Sequence, residues 1–429
     1  MSVTAQPGES WGTGLGLSGR IAILRRQLDK PLTPYYLLLG ASSLLLAIGL
    51  IMVLSASSVN SYEYHHGNSY YWATKQLMWV LIALPCAWVA TRLPLRLLRA
   101  ASWPMLAFSV VLLALTQTSM GVSVNGNQNW LSLGGPLQIQ PSEIAKFAMI
   151  LWCADVYARK DALLDSWRHL AIPVLPVAGV IAALVLLGGD LGTALVLFSI
   201  TLGMLWVVGV PARIFFGAAS LVSVAALYLA ASNPERLTRI TSFTAPFKNY
   251  QGSGWQAGHG ILGMASGGIF GKGIGASQQK WGNLPEAHTD FIFAVLGEEL
   301  GLVGTLLVLG LFLTIAWAGF RVAMNAQNLF IRYSTAGIVI WLMAHAIINI
   351  GMVLALLPVI GIPLPLVSYG GSSLVPELVA LGLVIGFARS EPAAAGALRL
   401  RRHERRAAKA VNAGAAPRTT PRSMSRRGV

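Results

Sequence analysis

Long apolar runs recur between residues 35 and 388, separated by shorter polar stretches. Each run is close to the roughly 20 residues that a helix needs to cross the hydrocarbon core of a bilayer. Glycine and proline fall inside several of them, which membrane helices tolerate. The period-two alternation of a membrane barrel is absent. The pattern predicts an all-α polytopic membrane protein of about ten transmembrane helices. They are placed at 35–57, 72–91, 100–119, 142–158, 170–187, 190–210, 214–231, 289–320, 333–357 and 374–388. The break between the fifth and sixth rests on "LLGGDLGTA" alone.

Two stretches interrupt this pattern. Residues 232–288, between the seventh and eighth runs, form a loop far longer than an ordinary connection, and such loops are usually functional. Residues 357–374, "LPVIGIPLPLVSYGGSSL", carry Pro358, Pro363 and Pro365, then Gly370 and Gly371, and no charge. A regular helix is excluded there. Irregular backbone near membrane depth must line a cavity or be buried in protein, which makes Ser368 and Tyr369 candidate substrate contacts.

Composition agrees with the membrane reading. The chain is 55% hydrophobic and only 11% charged, with a mean hydropathy of +0.63, against about 25% charged in soluble domains. The polar, basic stretch 1–34 shows no cleavable signal, and the first apolar run is long enough to remain as an anchor. Of the 31 Lys and Arg, 24 fall in the two tails and in alternate loops. The opposite loops hold only Arg236, Arg239, Lys248, Lys272 and Lys280, all in the 232–288 loop. Positive-inside reasoning then puts both termini in the cytoplasm and the 232–288 loop outside. Residues 390–429 are Ala/Arg-rich and are expected to be a disordered cytoplasmic tail, suited to fixing topology or meeting anionic lipid. Cys86 and Cys153 lie in different spans without metal-type spacing and read as small core residues.

Charges within spans are costly and usually face the protein interior or a wet cavity. Glu143 and Lys146, in "QPSEIAKFA", share a helical face and can pair. They are either a capped helix end with a structural ion pair or part of a substrate cavity. Asp190 in "GGDLGT" reads as an N-cap, and Glu377 after Pro376 as a structural cap. Glu298 and Glu299 point about 100° apart and read as structural acids, one of them capping a helix or pairing with a cation. Asp290 differs, because it stands at the junction of the long loop and the eighth span, just after Glu286 and His288. Desolvation and neighbouring acids raise a carboxyl pKa toward what a general base needs near neutrality. The alternative is that Thr289 or Asp290 merely caps the helix. Upstream, "GHGILGMASGGIFGKGIGASQQK" is glycine-dense. Its glycines allow close approach to a ligand, and Lys272 and Lys280 could meet an anion such as phosphate. It matches neither a P-loop nor G-x-G-x-x-G after a strand, so no nucleotide and no nucleic-acid partner is expected. There is no His/Cys cluster for zinc and no G-x-S-x-G elbow.

In this order, "QPSEIAKFA", "DLGTALVLF", "GGIFGKGIGASQQKWGNLPEAHTDFIFAVLGEELG" and "GIPLPLVSYGGSSL" resemble the SEDS family (shape, elongation, division and sporulation), over residues 35–389. The letters around "LPEAHTDF" are similar to its division-type branch. The resemblance implies ten spans with both ends cytoplasmic in the bacterial inner membrane, at the division septum. It implies a peptidoglycan glycosyltransferase acting on lipid II, with a class B penicillin-binding protein as transpeptidase partner and other divisome membrane proteins nearby. The acceptor GlcNAc 4-hydroxyl would attack the donor MurNAc anomeric carbon with inversion, and undecaprenyl diphosphate would leave. The family's essential aspartate falls on Asp290, and its conserved Glu and Lys of the fourth span on Glu143 and Lys146. A hydroxyl nucleophile needs one base, whereas a glycosidase needs two flanking carboxylates. The leaving diphosphate needs its charge neutralised, by Arg236, Arg239, Lys248, Lys272 or Lys280 or by a divalent cation, Mg or Mn. Two positions depart from the family pattern. Asn129 precedes Trp130 where members often have Arg, and Gly188–Gly189 precede Asp190 where many have Gln–Pro. A transporter that flips a polyprenyl lipid, and a non-catalytic division scaffold, are the competing readings. The clustering of charge in the outer loop, instead of at mid-membrane in paired repeats, weighs against transport.

Overall fold

The computed structural model describes residues 28–412, apart from 125, 133, 135–137, 164, 165, 232–236, 239, 240, 242, 244 and 253. Ten helices coincide with the ten apolar runs. They are α1 (Thr33–Tyr64), α2 (Tyr71–Ala90), α3 (Leu95–Thr116), α4 (Pro141–Arg159), α5 (Val174–Leu187), α6 (Leu191–Val208), α7 (Ala212–Ala231), α8 (Ile292–Asn325), α9 (Leu329–Val353) and α10 (Leu374–Ser390). Among the described residues, eight helices are long and apolar enough to span a bilayer. The other two of the ten are α4, which carries Glu143, Lys146, Asp155 and Arg159, and α7, whose apolar part, Ala212–Tyr228, is shorter.

The core sits on α4, α9 and α10, whose side chains are buried almost throughout. Helix α4 packs between α3 and α9, α6 and α8 both pack on α9, and α5 and α7 flank α6. Contact between helices in lipid depends on close packing by small residues. Gly382 and Gly386 of α10 supply it, since a Cβ on either would run into the α2 backbone at Ala87 or Thr91. At one end of α4, Asp155 accepts from Arg99 Nε and Arg159 Nε at 2.7 Å each and from Trp103 Nε1 at 3.3 Å. The "LLGGDLGTA" break is real: Gly189 turns the chain at φ 85° and Asp190 caps α6, accepting from Thr193 N at 2.8 Å.

The loops carry structure of their own. The third loop holds a small antiparallel sheet of β1 (Gly121–Val124), β2 (Asn127–Ser132) and β3 (Gln138–Ile139), in the order β1-β2-β3. The long loop contains a helix, Trp255–Gly267. Among the described residues, the terminal segments 28–33 and 389–412 belong to a unit of their own. Two expectations are corrected, those of the tail and of Cys86. Part of the tail expected to be disordered is the helix Pro392–Asn412, because an Ala/Arg-rich stretch opened by proline has high helix propensity; residues 413–429 lie outside the described residues. Finally, Cys86 faces outward and only Cys153 is a core residue.

Candidate active site

The end of the bundle that carries the long loop holds a cavity of about 880 Å³. Asn60 of α1 and Trp72, Lys75 and Trp79 of α2 line one side. Asn127, Asn129 and Trp130 of β2 line another, followed by Gln140, Glu143 and Lys146 around the start of α4. Asp190 and Thr193 of α6 and His345 of α9 lie deeper. Two irregular segments close it: Pro285–Asp290 before α8, and the Val359–Pro363 and Tyr369–Ser373 parts of the proline-rich stretch. That stretch does line a cavity, as its prolines required.

Asp290 is held mainly through its backbone. The Asn349 side-chain amide of α9 donates to the Asp290 carbonyl at 2.8 Å and to the Ile362 carbonyl at 2.7 Å. One residue back, the Thr289 carbonyl accepts from Ser368 Oγ at 2.6 Å. One further back, the His288 carbonyl accepts from Tyr369 N at 2.9 Å. The turn itself is tied by Glu286, whose carbonyl accepts from Thr289 N and Phe291 N and whose Oε2 accepts from Thr289 Oγ1 at 2.6 Å. Glu286 does this at φ 57°, an uncommon left-handed conformation for a side-chain-bearing residue. Asp290 is partly buried and opens onto the cavity. Burial first, then the charges of Glu286 and Asp190, push its carboxyl pKa up to about 7. The helix-cap alternative does not hold: Phe291 is the N-cap residue of α8, and no side chain caps it. The His288 ring stands 5.3 Å from Trp72 and 5.8 Å from Tyr369. Burial holds its pKa below the usual value against the opposing pull of Glu286, so it is neutral at pH 7.

Glu143 and Lys146 do both things that their spacing allowed. They pair at 2.7 Å, almost fully buried, and they line the cavity. Lys146 Nζ also stands 2.9 Å from His345 Nε2, which accepts from Trp341 Nε1 at 3.2 Å. Two donors on Nε2 place the ring proton on Nδ1. Among the described residues, Glu143 Oε2 and His345 Nδ1 have no hydrogen-bond partner. Glu377, the other acid of this region, is structural as expected and accepts from Leu366 N at 3.3 Å. Asp190 combines its cap with an Asn129 Nδ2 contact at 2.8 Å, so the Asn129 departure places an amide on a cavity acid.

Several sequence candidates fall elsewhere. Lys272 pairs with Glu298 at 2.8 Å and Lys280 with Glu299 at 3.4 Å, and neither lines the cavity. Both cations are consumed neutralising acids buried in α8, so neither is placed to receive a diphosphate in the cavity. Glu298 further accepts from Ser277 Oγ, Gln278 N and Gln279 N, and Glu299 from Ser55 Oγ. They are structural acids, as expected, but both pair with cations and both hold the same loop. Two glycines of that loop approach protein, since a Cβ on Gly267 or Gly271 would meet the Gly297 or Glu299 carbonyl, whereas Gly268, Gly273 and Gly275 face open space. Ser368 is turned away from the cavity into its bonds with Thr289 and Leu364 N, whereas Tyr369 does line it. Arg236 and Arg239 lie outside the described residues.

The sequence reading missed His345 and Asn349, although polar residues inside the apolar run 333–357 were a usable signal. Lys75 Nζ sits 4.4 Å from the Tyr71 ring centroid and 5.2 Å from that of Trp72, on the cavity wall. Among the described residues, no group of three or more His, Cys, Asp or Glu is arranged to hold a metal. The expected divalent cation therefore has no such cluster among the described residues to hold it.

A family model described as "Cell cycle protein", covering FtsW, RodA and SpoVE, matches residues 35–392. A protein of Mycobacterium tuberculosis named "Probable peptidoglycan glycosyltransferase FtsW" is 40% identical over 379 residues, 88% of this chain and 72% of that one. Stage V sporulation protein E of Bacillus subtilis is 36% identical over 84% of this chain and 98% of its own length. Among solved structures, a chain of a peptidoglycan synthase complex described as coordinating polymerization and crosslinking superposes with a TM-score of 0.66. It has 27% identity over 83% of this chain and 97% of that chain. Rod shape determining protein RodA of Thermus thermophilus superposes with a TM-score of 0.60 and 28% identity, over 83% and 97%. The helices, the cavity and these likenesses agree, and the chain belongs to the FtsW/RodA/SpoVE family of integral membrane proteins, the SEDS family.

Proposed function

We propose that this protein is a peptidoglycan glycosyltransferase that polymerises lipid II, with Asp290 as general base. The observation that carries this reading is the Asp290 carboxyl opening onto a polar cavity, its pKa raised to about 7 by burial and by Glu286 and Asp190. Asp290 takes the proton from the acceptor GlcNAc 4-hydroxyl as its oxygen attacks the anomeric carbon of the donor MurNAc. The bond from that carbon to the diphosphate oxygen breaks with inversion, and undecaprenyl diphosphate departs with the electron pair. Asp290 then returns its proton to water in the cavity. The cavity walls carry Glu143, Asp190, Glu286 and Asp290 against Lys75 and Lys146, and Lys146 is already paired. Lys75 therefore replaces Lys272 and Lys280 as the cation assigned to the leaving diphosphate. Neutral His288 and Tyr369 form the apolar rim beside it.

Family membership and the positive-inside charge pattern support this setting. Both termini face the cytoplasm of the bacterial inner membrane, the site faces outward, and the likeness to relatives named FtsW supports a septal role. The peptidoglycan synthase complex among the structural neighbours supports a class B penicillin-binding protein as partner, alongside other divisome proteins. The test is to purify the protein with its cognate transpeptidase, supply labelled lipid II, and look for moenomycin-resistant glycan. Asp290→Ala and Asp290→Asn are expected to form none. Equal glycan from Asp290→Ala sinks the base assignment. Lipid II crossing liposomes without any polymer would make the protein a transporter instead.

A further inference from the structure

Helix α8 is broken at Gly301, where φ is 67° and ψ is −163°. In an unbroken helix the Leu302 and Val303 N–H groups would donate to the Glu298 and Glu299 carbonyls. Here they donate to the Gly268 and Ile269 carbonyls, at 2.9 and 3.1 Å. The freed Glu298 and Glu299 carbonyls accept from Lys272 N and Gly273 N, both at 3.0 Å. Two helical hydrogen bonds are exchanged for four to the loop. Backbone groups at membrane depth must be satisfied within the protein, so this loop completes the span and cannot leave it.

The two faces of the loop differ in chemistry. The charges between residues 268 and 281 are Lys272 and Lys280; Lys280 is buried on Glu299, and Lys272, though itself exposed, is paired with the buried Glu298. Outward it presents Ile269, Phe270, Ile274 and Trp281, which are 60%, 81%, 61% and 68% exposed. The α8 side chains from Ile292 to Glu299 are buried in protein. Beyond the break, Leu302, Val303, Leu306 and Leu313 face outward, down to Trp317, with Arg321 stacked on its ring at 5.2 Å. A Trp with an adjacent Arg is typical of the membrane–water interface. From Leu302 to Trp317 the helix rises only about 22 Å, short of the roughly 30 Å of hydrocarbon it must match. The loop's apolar side chains continue that band at its upper end.

We infer that residues 268–281 form a re-entrant element seated in the leaflet on the active-site side, with lipid acyl chains covering Ile269, Phe270, Ile274 and Trp281. The occupant is lipid because the surface continues the lipid-facing side of α8 and its one exposed cation, Lys272, is neutralised by Glu298. This holds whether or not the chain polymerises glycan.

The test places a nitroxide at Phe270→Cys, Ile274→Cys or Trp281→Cys in a Cys86→Ser/Cys153→Ala background. The protein is held in nanodiscs of phosphatidylethanolamine and phosphatidylglycerol, and exposed Asn283→Cys serves as the aqueous control. The ratio of collision with oxygen to collision with a water-soluble nickel chelate is expected to be at least several-fold higher at 270, 274 and 281 than at 283. Ratios equal to that of 283 overturn the inference. Labels that are water-accessible alone and shielded only when the transpeptidase is added overturn it too, and make this face a protein-docking surface. Thermal melting of each labelled variant confirms that the fold is intact before the ratio is read.

Discussion

Asp290→Asn should abolish polymerisation and, above neutral pH, make the protein more stable. The carboxyl pKa is raised from 3.8 to about 7, so the folded state holds the proton more tightly than the unfolded chain. The sign is that of a penalty on the charged form. It is absent below the unfolded pKa, grows as pH rises above 3.8, and is complete above about 7. At about 1.4 kcal/mol per unit, roughly 3 units set an upper bound of about 4 kcal/mol at pH 8. At pH 5 the bound is about 1.6 kcal/mol. The real values are smaller, because the carboxylate opens onto a cavity that water enters. An asparagine carries no charge to desolvate and keeps the backbone contacts with Asn349. The assay is the thermal midpoint of wild type and Asp290→Asn in nanodiscs at pH 5 and pH 8, with polymerisation measured on the same samples. The variant's midpoint should lie above wild type, with the wider gap at pH 8, and its glycan yield should be at background. A variant less stable than wild type at both values would mean that the carboxylate is held by stabilising partners, and the argument for a poised base would fall with it.

Wild-type polymerisation should rise about tenfold per pH unit below 7 and level off above it. Burial is the larger cause of the Asp290 shift, so Glu286→Gln, which keeps an acceptor for Thr289, should move that acid limb down by only about one unit. An unmoved limb in a pH–rate profile would exclude the coupling. Lys75→Ala should cut the turnover number and weaken inhibition by undecaprenyl diphosphate, with partial rescue in Lys75→Arg; unchanged product inhibition would remove Lys75 from the leaving-group site. Glu143→Gln should weaken polymerisation while folded protein is still made. Loss of folded protein, at a cost of about 3–5 kcal/mol for a stranded buried cation, would make the pair structural. In that case Glu143→Gln/Lys146→Met should restore the fold.

The helices were legible because each apolar run reports its own burial, and the bounds agree within five residues except at the end of α1, which runs seven residues further. Asp290 was legible for a related reason: an acid at the edge of a span, next to two other ionisable groups, is costly wherever it points. The partners of the lysines were not. Lys272 and Glu298 are 26 residues apart, and only the break at Gly301, which no periodicity records, brings the loop back against the helix. A lysine near a glycine-rich loop reads equally well as an anion site or as half of an ion pair. The deciding term is the buried carboxylate opposite it. His345 and Asn349 were obscured because a single polar residue hardly alters the hydropathy of a 25-residue helix.

Residues 288–290 and 362–369 come from distant parts of the chain, yet they are stitched by Asn349, Ser368 and the Tyr369 N–H into one plate. The plate is anchored to the middle of the fold through α9, the helix that also carries His345. The stiffness of the Asp290 carboxylate is therefore borrowed from a stretch that has almost no helical hydrogen bonds of its own. A push on the proline-rich stretch, by a bound sugar chain or by a neighbouring protein, is transmitted to the base as a rigid displacement. In this design, alignment of the attacking hydroxyl is set by how the whole plate is tilted, so substitutions at Pro363 or Pro365, which touch no reacting atom, should register in turnover before they register in substrate affinity.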